Sequence, residues 1–215
     1  MCIRDSVTTV NFAAGAPTSG TIRVLNFDST TATAANFVLA SSASFRTPTF
    51  TVNATNVELS LGNTDLTWTG TGGSNWDVNT TSNWNNTVPA ASRFFFGDAV
   101  TFNDSPGANQ TVNMPVDVQP SSIIFNNSSI SYSLVATAGR IIGGTGITKN
   151  GTNNVTLGGA NGQNYTGAIA VNAGTLTMGS RDAFGVSSGI TVASGASVNI
   201  NDQTPGTVAT GGYTY

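Results

Sequence analysis

The chain has 215 residues and a formal net charge of −3, with 39% of residues hydrophobic but only 8% charged. That is enough apolar material for a core and too few charges for a disordered tail. It also lacks the Lys/Arg cluster that nucleic-acid binding needs. There is no His, the single Cys is Cys2, and no apolar run approaches the ~18 residues that span a bilayer, so disulfides, zinc sites and Cys/His catalysis are excluded. In chain order, Met1-Cys2-Ile3-Arg4-Asp5-Ser6 differs sharply from the Thr/Asn/Gly/Ser-rich chain that follows and is set aside as a non-native leader. The first twenty residues carry no apolar signal-peptide core, so a secreted origin makes the chain a piece of a longer protein. Residues 7–66 are β-rich, with period-two runs at Ile22-Arg23-Val24, Phe37-Val38-Leu39, Phe50-Thr51-Val52 and Val57-Glu58-Leu59-Ser60-Leu61. Phe27 to Phe50 and Leu39 to Leu61 are 23 and 22 apart, but no turn glycines keep step. This segment is expected to be either worn coils ending a preceding unit or a small separate sandwich. Residues 67–97, rich in Gly, Asn and Trp, read as a connector.

Residues 98–205 repeat. Val100-Thr101-Phe102, Val155-Thr156-Leu157, Leu176-Thr177-Met178, Ile190-Thr191-Val192 and Val198-Asn199-Ile200 each alternate apolar and polar residues between Gly, Asn or Ser, as short strands do. Phe102, Ile124, Ile147, Ile169 and Ile190 are separated by 22, 23, 22 and 21 residues. In phase with them, Val112, Leu134, Leu157, Met178 and Ile200 are separated by 22, 23, 21 and 22, and Gly151, Gly174 and Gly195 keep nearly the same step. A period of this length with two or three strands per unit predicts a solenoid, in which each coil hydrogen-bonds to the next around a shared core. An antiparallel sandwich would also give regular turns, but no reason for the same residue types to return in phase every second strand. The expected fold is therefore all-β: a right-handed parallel β-helix of about five 21–23-residue coils behind a β-rich N-terminal segment, with residues 206–215 starting a truncated next coil. Stacking also accounts for the scarcity of charge. A charge repeated at ~4.8 Å would sit over its own copy at a cost of about 0.9 kcal/mol even in water, whereas Asn, Thr and Ser can hydrogen-bond to their copies.

The run Gly146-Ile147-Thr148-Lys149-Asn150-Gly151, Val155-Thr156-Leu157-Gly158-Gly159-Ala160-Asn161, Asn164-Tyr165-Thr166-Gly167, Val171-Asn172-Ala173-Gly174-Thr175-Leu176 and Asp182-Ala183-Phe184-Gly185 resembles the autotransporter-associated β-strand repeat. Upstream, Trp68-Thr69-Gly70, Asn75-Trp76-Asp77, Asn83-Trp84 and Gly97-Asp98-Ala99-Val100-Thr101-Phe102 are similar to the W-x-G…N-W-D…N-W…D-x-V-x-F run that often precedes such repeats. The resemblance covers about residues 66–205 and departs from the family pattern at Asn153-Asn154 and Phe184. It implies a repeat of large bacterial secreted or surface proteins, stacked as a β-helix in passenger regions. Such a segment would be extracellular, on the bacterial outer surface, and anchored through parts of the parent protein not present here. Its partners would be surface glycans or neighbouring cells.

Candidate chemistry is sparse. Trp68, Trp76 and Trp84 are spaced eight apart and have two readings: a glycan-stacking platform, or plugs for the mouth of the solenoid. A polysaccharide-cutting β-helix needs clustered acids with a base nearby. The acids here are Asp98, Asp104, Asp117, Asp182 and Asp202, and the bases Arg93, Arg140, Lys149 and Arg181. Asp182 and Asp202 are 20 apart, close to one turn, but both sit in turns, where Asp is common for structural reasons. Gly143-Gly144-Thr145-Gly146-Ile147 has the outline of a calcium nonapeptide, yet Thr148 stands where the ligating Asp belongs. Sequons such as Asn126-Asn127-Ser128 and Asn164-Tyr165-Thr166 follow from composition. The expectation is a non-enzyme with no catalytic residues, metal or cofactor.

Overall fold

The computed structural model describes residues 7–12, 19–86, 91–105 and 110–200. The leader 1–6, Asp202 and the start of a further coil at 206–215 lie outside the described residues. Those described contain no α-helix, only two short 3-10 turns, Ala34–Asn36 and Ser42–Ser44.

The N-terminal part begins with β1 (Thr8–Val10), β2 (Gly20–Asn26), β3 (Phe37–Leu39), β4 (Arg46–Val52) and β5 (Asn56–Gly62). β2, β5 and β4 form an antiparallel sheet, and β1 pairs with β3. Because β2, β4 and β5 pair antiparallel, they are not coils of the solenoid; Phe50 pairs with Leu59 rather than Phe27, and Leu61 with Gly20 rather than Leu39, so the 22- and 23-residue spacings do not mark a register. Alternation in β5 sends Val57, Leu59 and Leu61 inward, and Leu39, Phe45, Leu59 and Leu61 form a small core of their own.

The stack then starts at β6 (Asp65–Trp68), earlier than the expected boundary at Asp98. β7 (Trp84–Asn85) and β8 (Ala91–Ser92) fold back antiparallel on its free edge. On its other edge lies β9 (Ala99–Asn103), with Leu66 opposite Val100. Next come β10 (Thr111–Met114), β11 (Ser122–Asn126), β12 (Tyr132–Ala136), β13 (Ile142–Gly143), β14 (Gly146–Lys149), β15 (Asn154–Gly159), β16 (Asn164–Tyr165), β17 (Ile169–Val171), β18 (Thr175–Met178), β19 (Ile190–Val192) and β20 (Ser197–Ile200). Every strand pair in this series is parallel. One sheet runs β6-β9-β11-β14-β17-β19 and a second β10-β12-β15-β18-β20; a short third side pairs β13 with β16. This is a β-solenoid of about four turns (99–121, 122–145, 146–168 and 169–189); the expected five includes the turn that β19 and β20 open.

The second sheet reproduces the expected ladder in full: Val112, Leu134, Leu157, Met178 and Ile200 are register partners. The first needs one correction. Ile147, Ile169 and Ile190 stack as expected, but the residue beneath Ile147 is Ile123, and Phe102 stacks on Phe125. Ile124 pairs with Thr101 and Thr148 on the outer face. In Ile123-Ile124-Phe125 three apolar residues follow one another, so alternation does not say which two turn inward, and a one-residue shift exchanges the faces. The inward rows merge into one continuous core from Leu66 to Leu176 and Phe184.

At the turns the coils approach closely. A Cβ on Gly151 would lie 2.0 Å from the Asn127 carbonyl oxygen of the coil below, and Gly174 combines φ +68° with Thr152 backbone 2.6 Å away, which only glycine tolerates.

Candidate functional site: the aromatic end and the polar corner

All three tryptophans point into the mouth of the solenoid. Trp68, Trp76 and Trp84 are at most 1% exposed and meet edge to face, with ring centroids 5.0 Å apart for Trp68 and Trp84 and 5.3 Å for Trp76 and Trp84. Phe94 and Phe102 complete the cluster, and the Phe102 ring stacks on Phe125 at 5.1 Å, carrying the aromatic column into the second turn. The polar neighbours of each indole fix the loop that carries it. Asp77 accepts the Thr81 N–H at 2.8 Å, while buried Asn83 donates to the Asn75 carbonyl and accepts the Gly72 N–H, both at 2.7 Å. Trp76 itself is tied to the second sheet through its backbone N–H, which donates to the Asn113 carbonyl at 2.8 Å. With the rings buried, a sugar has no indole face to stack on in this conformation.

Among the described residues the candidate acids do not converge. Asp98 is fully buried and receives four hydrogen bonds, from Arg46 Nε (3.0 Å) and Nη2 (2.8 Å) and from the N–H groups of Thr64 (3.0 Å) and Phe95 (2.8 Å). Arg46, which lies over the Phe95 ring, belongs to the N-terminal sheet, so this pair joins that sheet to the solenoid beside the parallel Phe45–Phe96 bridge. Asp104 accepts the N–H groups of Ser128, Ser129 and Ile130 on the next coil, and these bonds hold its carboxyl below the usual range. Asp117 accepts the Arg140 N–H at 3.2 Å, and Asp182 occupies a left-handed turn with φ 57°. Among the described residues no three of His, Cys, Asp and Glu gather as a metal-holding group. At the Gly143–Thr148 turn, the Thr145 hydroxyl donates to the Pro120 carbonyl at 2.6 Å and so serves the stack.

The outer row of the first sheet behaves as stacked amides should. Asn150 donates to Asn126 at 3.0 Å and Asn172 to Asn150 at 2.8 Å, an asparagine ladder over three coils. Thr175 with Ser197 and Ser131 with Asn153 repeat the device at the second sheet.

One set of residues was missed: polar side chains that enter the corner between the two sheets. Asn127, fully buried, donates from Nδ2 to the carbonyls of Ile130 (2.7 Å) and Asn154 (3.1 Å), the latter on the coil above. Lys149, also fully buried, stands in the inward row Phe102–Phe125–Lys149–Val171 and donates to the carbonyls of Gly151 and Ala173. Burial pushes its amine below the ordinary lysine range, partly offset by Asp104. The signal was present: Lys149 falls two residues after Ile147, as Val171 does after Ile169 and Val192 after Ile190. No family model, curated protein or solved structure matches this chain.

Proposed function

We propose that the chain is a non-catalytic structural and adhesive repeat segment of a large bacterial secreted or cell-surface protein of autotransporter-associated type. The observation that carries the reading is the continuous parallel stack itself, in which every repeat uses its side chains for the neighbouring repeat. Asp98, Asp104 and Asp117 act as ties between segments, and the inward residues fill the core. The outward positions of the strands of both sheets are mainly Thr, Ser, Asn, Gly and Ala, with Ile124 and Val135, and carry no charge between β9 and β20, a neutral surface that would meet surface glycans or neighbouring cells.

A scaffold of this kind is modular. Inserting two further copies of residues 146–168 after Ala168 should lengthen the particle by about 10 Å, at ~4.8 Å per turn, and keep cooperative unfolding. Small-angle scattering and denaturant titration read both. Incubation with bacterial surface polysaccharides should release no reducing or unsaturated ends, and cells displaying the chain should gain attachment to glycan-coated surfaces. Release of sugar ends that disappears on Asp→Asn substitution, or collapse of the lengthened chain, would overturn the proposal.

A further inference from the structure

We propose that Lys149, the only lysine in the chain, is an internal clamp that locks the third turn to the fourth in register. Its row is otherwise apolar, with Phe102 and Phe125 below and Val171 and Val192 above, so a hydrophobic residue would suit the space. What an apolar residue cannot do is satisfy the Gly151 and Ala173 carbonyls, which face the interior of the corner, one from each turn. Asn127 performs the same service one level down for Ile130 and Asn154. Each of these two levels therefore supplies one donor side chain that reaches its own turn and the next.

The need for a clamp is greatest here. Strand β17 has three residues and lies in Ala168-Ile169-Ala170-Val171, which contains no polar residue, so hydrophobic pattern alone sets little against a one-residue slip on β14. A slip would carry the Ala173 carbonyl ~3.3 Å along the strand and out of reach of the ammonium. A single buried polar side chain specifying register has precedent in coiled coils.

The chain offers a direct test, because amine-reactive reagents can label only Lys149 and the N-terminal amine. With an excess of a small acylating reagent and peptide mass spectrometry, Lys149 in the native chain should be modified at least 100-fold more slowly than in denaturant. Its rate should track hydrogen exchange of the Asn172 and Ala173 amides, which bond to the Lys149 carbonyl at 2.8 and 3.2 Å. Labelling faster than those amides exchange would overturn the proposal, since the amine would be free while the corner stays closed. In Lys149→Met, which keeps the volume, exchange at Asn172 and Ala173 should rise tenfold or more while the Val112–Leu134 region is unchanged. An unaltered exchange pattern would equally overturn the clamp.

Discussion

Removing Arg46 isolates the tie between the N-terminal sheet and the solenoid. In Arg46→Ala the Asp98 carboxylate, fully buried in the intact chain, keeps two of its four donors, the N–H groups of Thr64 and Phe95, and loses its countercharge. Stranding one partner of a buried ion pair costs about 3–5 kcal/mol; the Arg46 side chain keeps 21% of its surface in water, which places the expected loss near the lower bound, about 3 kcal/mol. Asp98→Ala should cost a similar amount for a different reason, because two backbone N–H groups lose their acceptor at ~1–3 kcal/mol each. The double variant should then lose clearly less than the sum, with a coupling of about 2 kcal/mol. Denaturant titration followed by tryptophan emission reads all four corners of the cycle, provided the slope stays constant. Additive losses, or an Arg46→Ala variant within about 0.5 kcal/mol of the parent, would refute the tie.

Gly174→Ala and Gly195→Ala separate backbone strain from crowding. Both positions have positive φ, +68° and +84°, but only Gly174 faces backbone within 4 Å, so Gly195→Ala should cost about 1–2 kcal/mol and Gly174→Ala several, as read by thermal melting. Equal losses would contradict the close packing of the coils. Ile169→Asp puts an unpaired charge at a site 1% exposed and should cost on the order of 4 kcal/mol or more, with exchange protection lost first in β14, β17 and β19. On the alkaline side, burial raises the phenol pKa values of Tyr132 and Tyr165 well above 10, so their contribution is intact below pH 10 and is lost as pH rises beyond it. Lys149 has the opposite sign. Its lowered folded value makes the charged form a cost near neutrality that fades as pH rises toward 10.5. Urea midpoints should therefore hold or rise slightly to about pH 10 and then fall, with Lys149→Met abolishing only the rise. A midpoint falling steadily from pH 8 in both proteins would contradict these assignments. Emission of the three tryptophans should be blue-shifted and resist acrylamide, and mono- or oligosaccharides should leave it unchanged; a saturable sugar-induced shift would mean that the aromatic end opens.

How much of this was legible in the sequence depended on how many independent patterns met at a residue. Val112, Leu134, Leu157, Met178 and Ile200 were found in register because each lies in a strand where alternation and the long period agree. Ile124 was misplaced because Ile123-Ile124-Phe125 alternates equally well either way; its face is decided by contacts that hydropathy does not encode, the Asn126–Asn150 amide bond and the buried Asn127 beside it. The start of the stack was missed because β6 precedes β9 by 34 residues rather than 22, the extra length being the Trp-bearing insertion. The Arg46–Asp98 tie joins residues 52 apart with no periodic relation, so nothing local announced it. Lys149 was legible in position, since two residues after inward Ile147 a strand returns to the same face, but not in role, because the carbonyls it serves belong to turns whose close approach only the fold shows.

The β6 end of the stack is closed by the chain's own strands and rings. A parallel sheet edge is a template for any further strand, and a scaffold must close the edge it does not use. At the β6 end the edge is taken by β7 and β8 running antiparallel, and the core beneath is filled by three indoles, so no further parallel coil can add there. At the β19–β20 end the described strands leave Val192 and Ile200 at 44% and 48% exposure, although both occupy rows that are buried lower in the stack. Their β-branched side chains continue the Phe102 and Val112 rows. Inserted repeats should be accommodated between β14 and β19, whereas duplication ahead of β6 should displace the indoles and unfold the first turn.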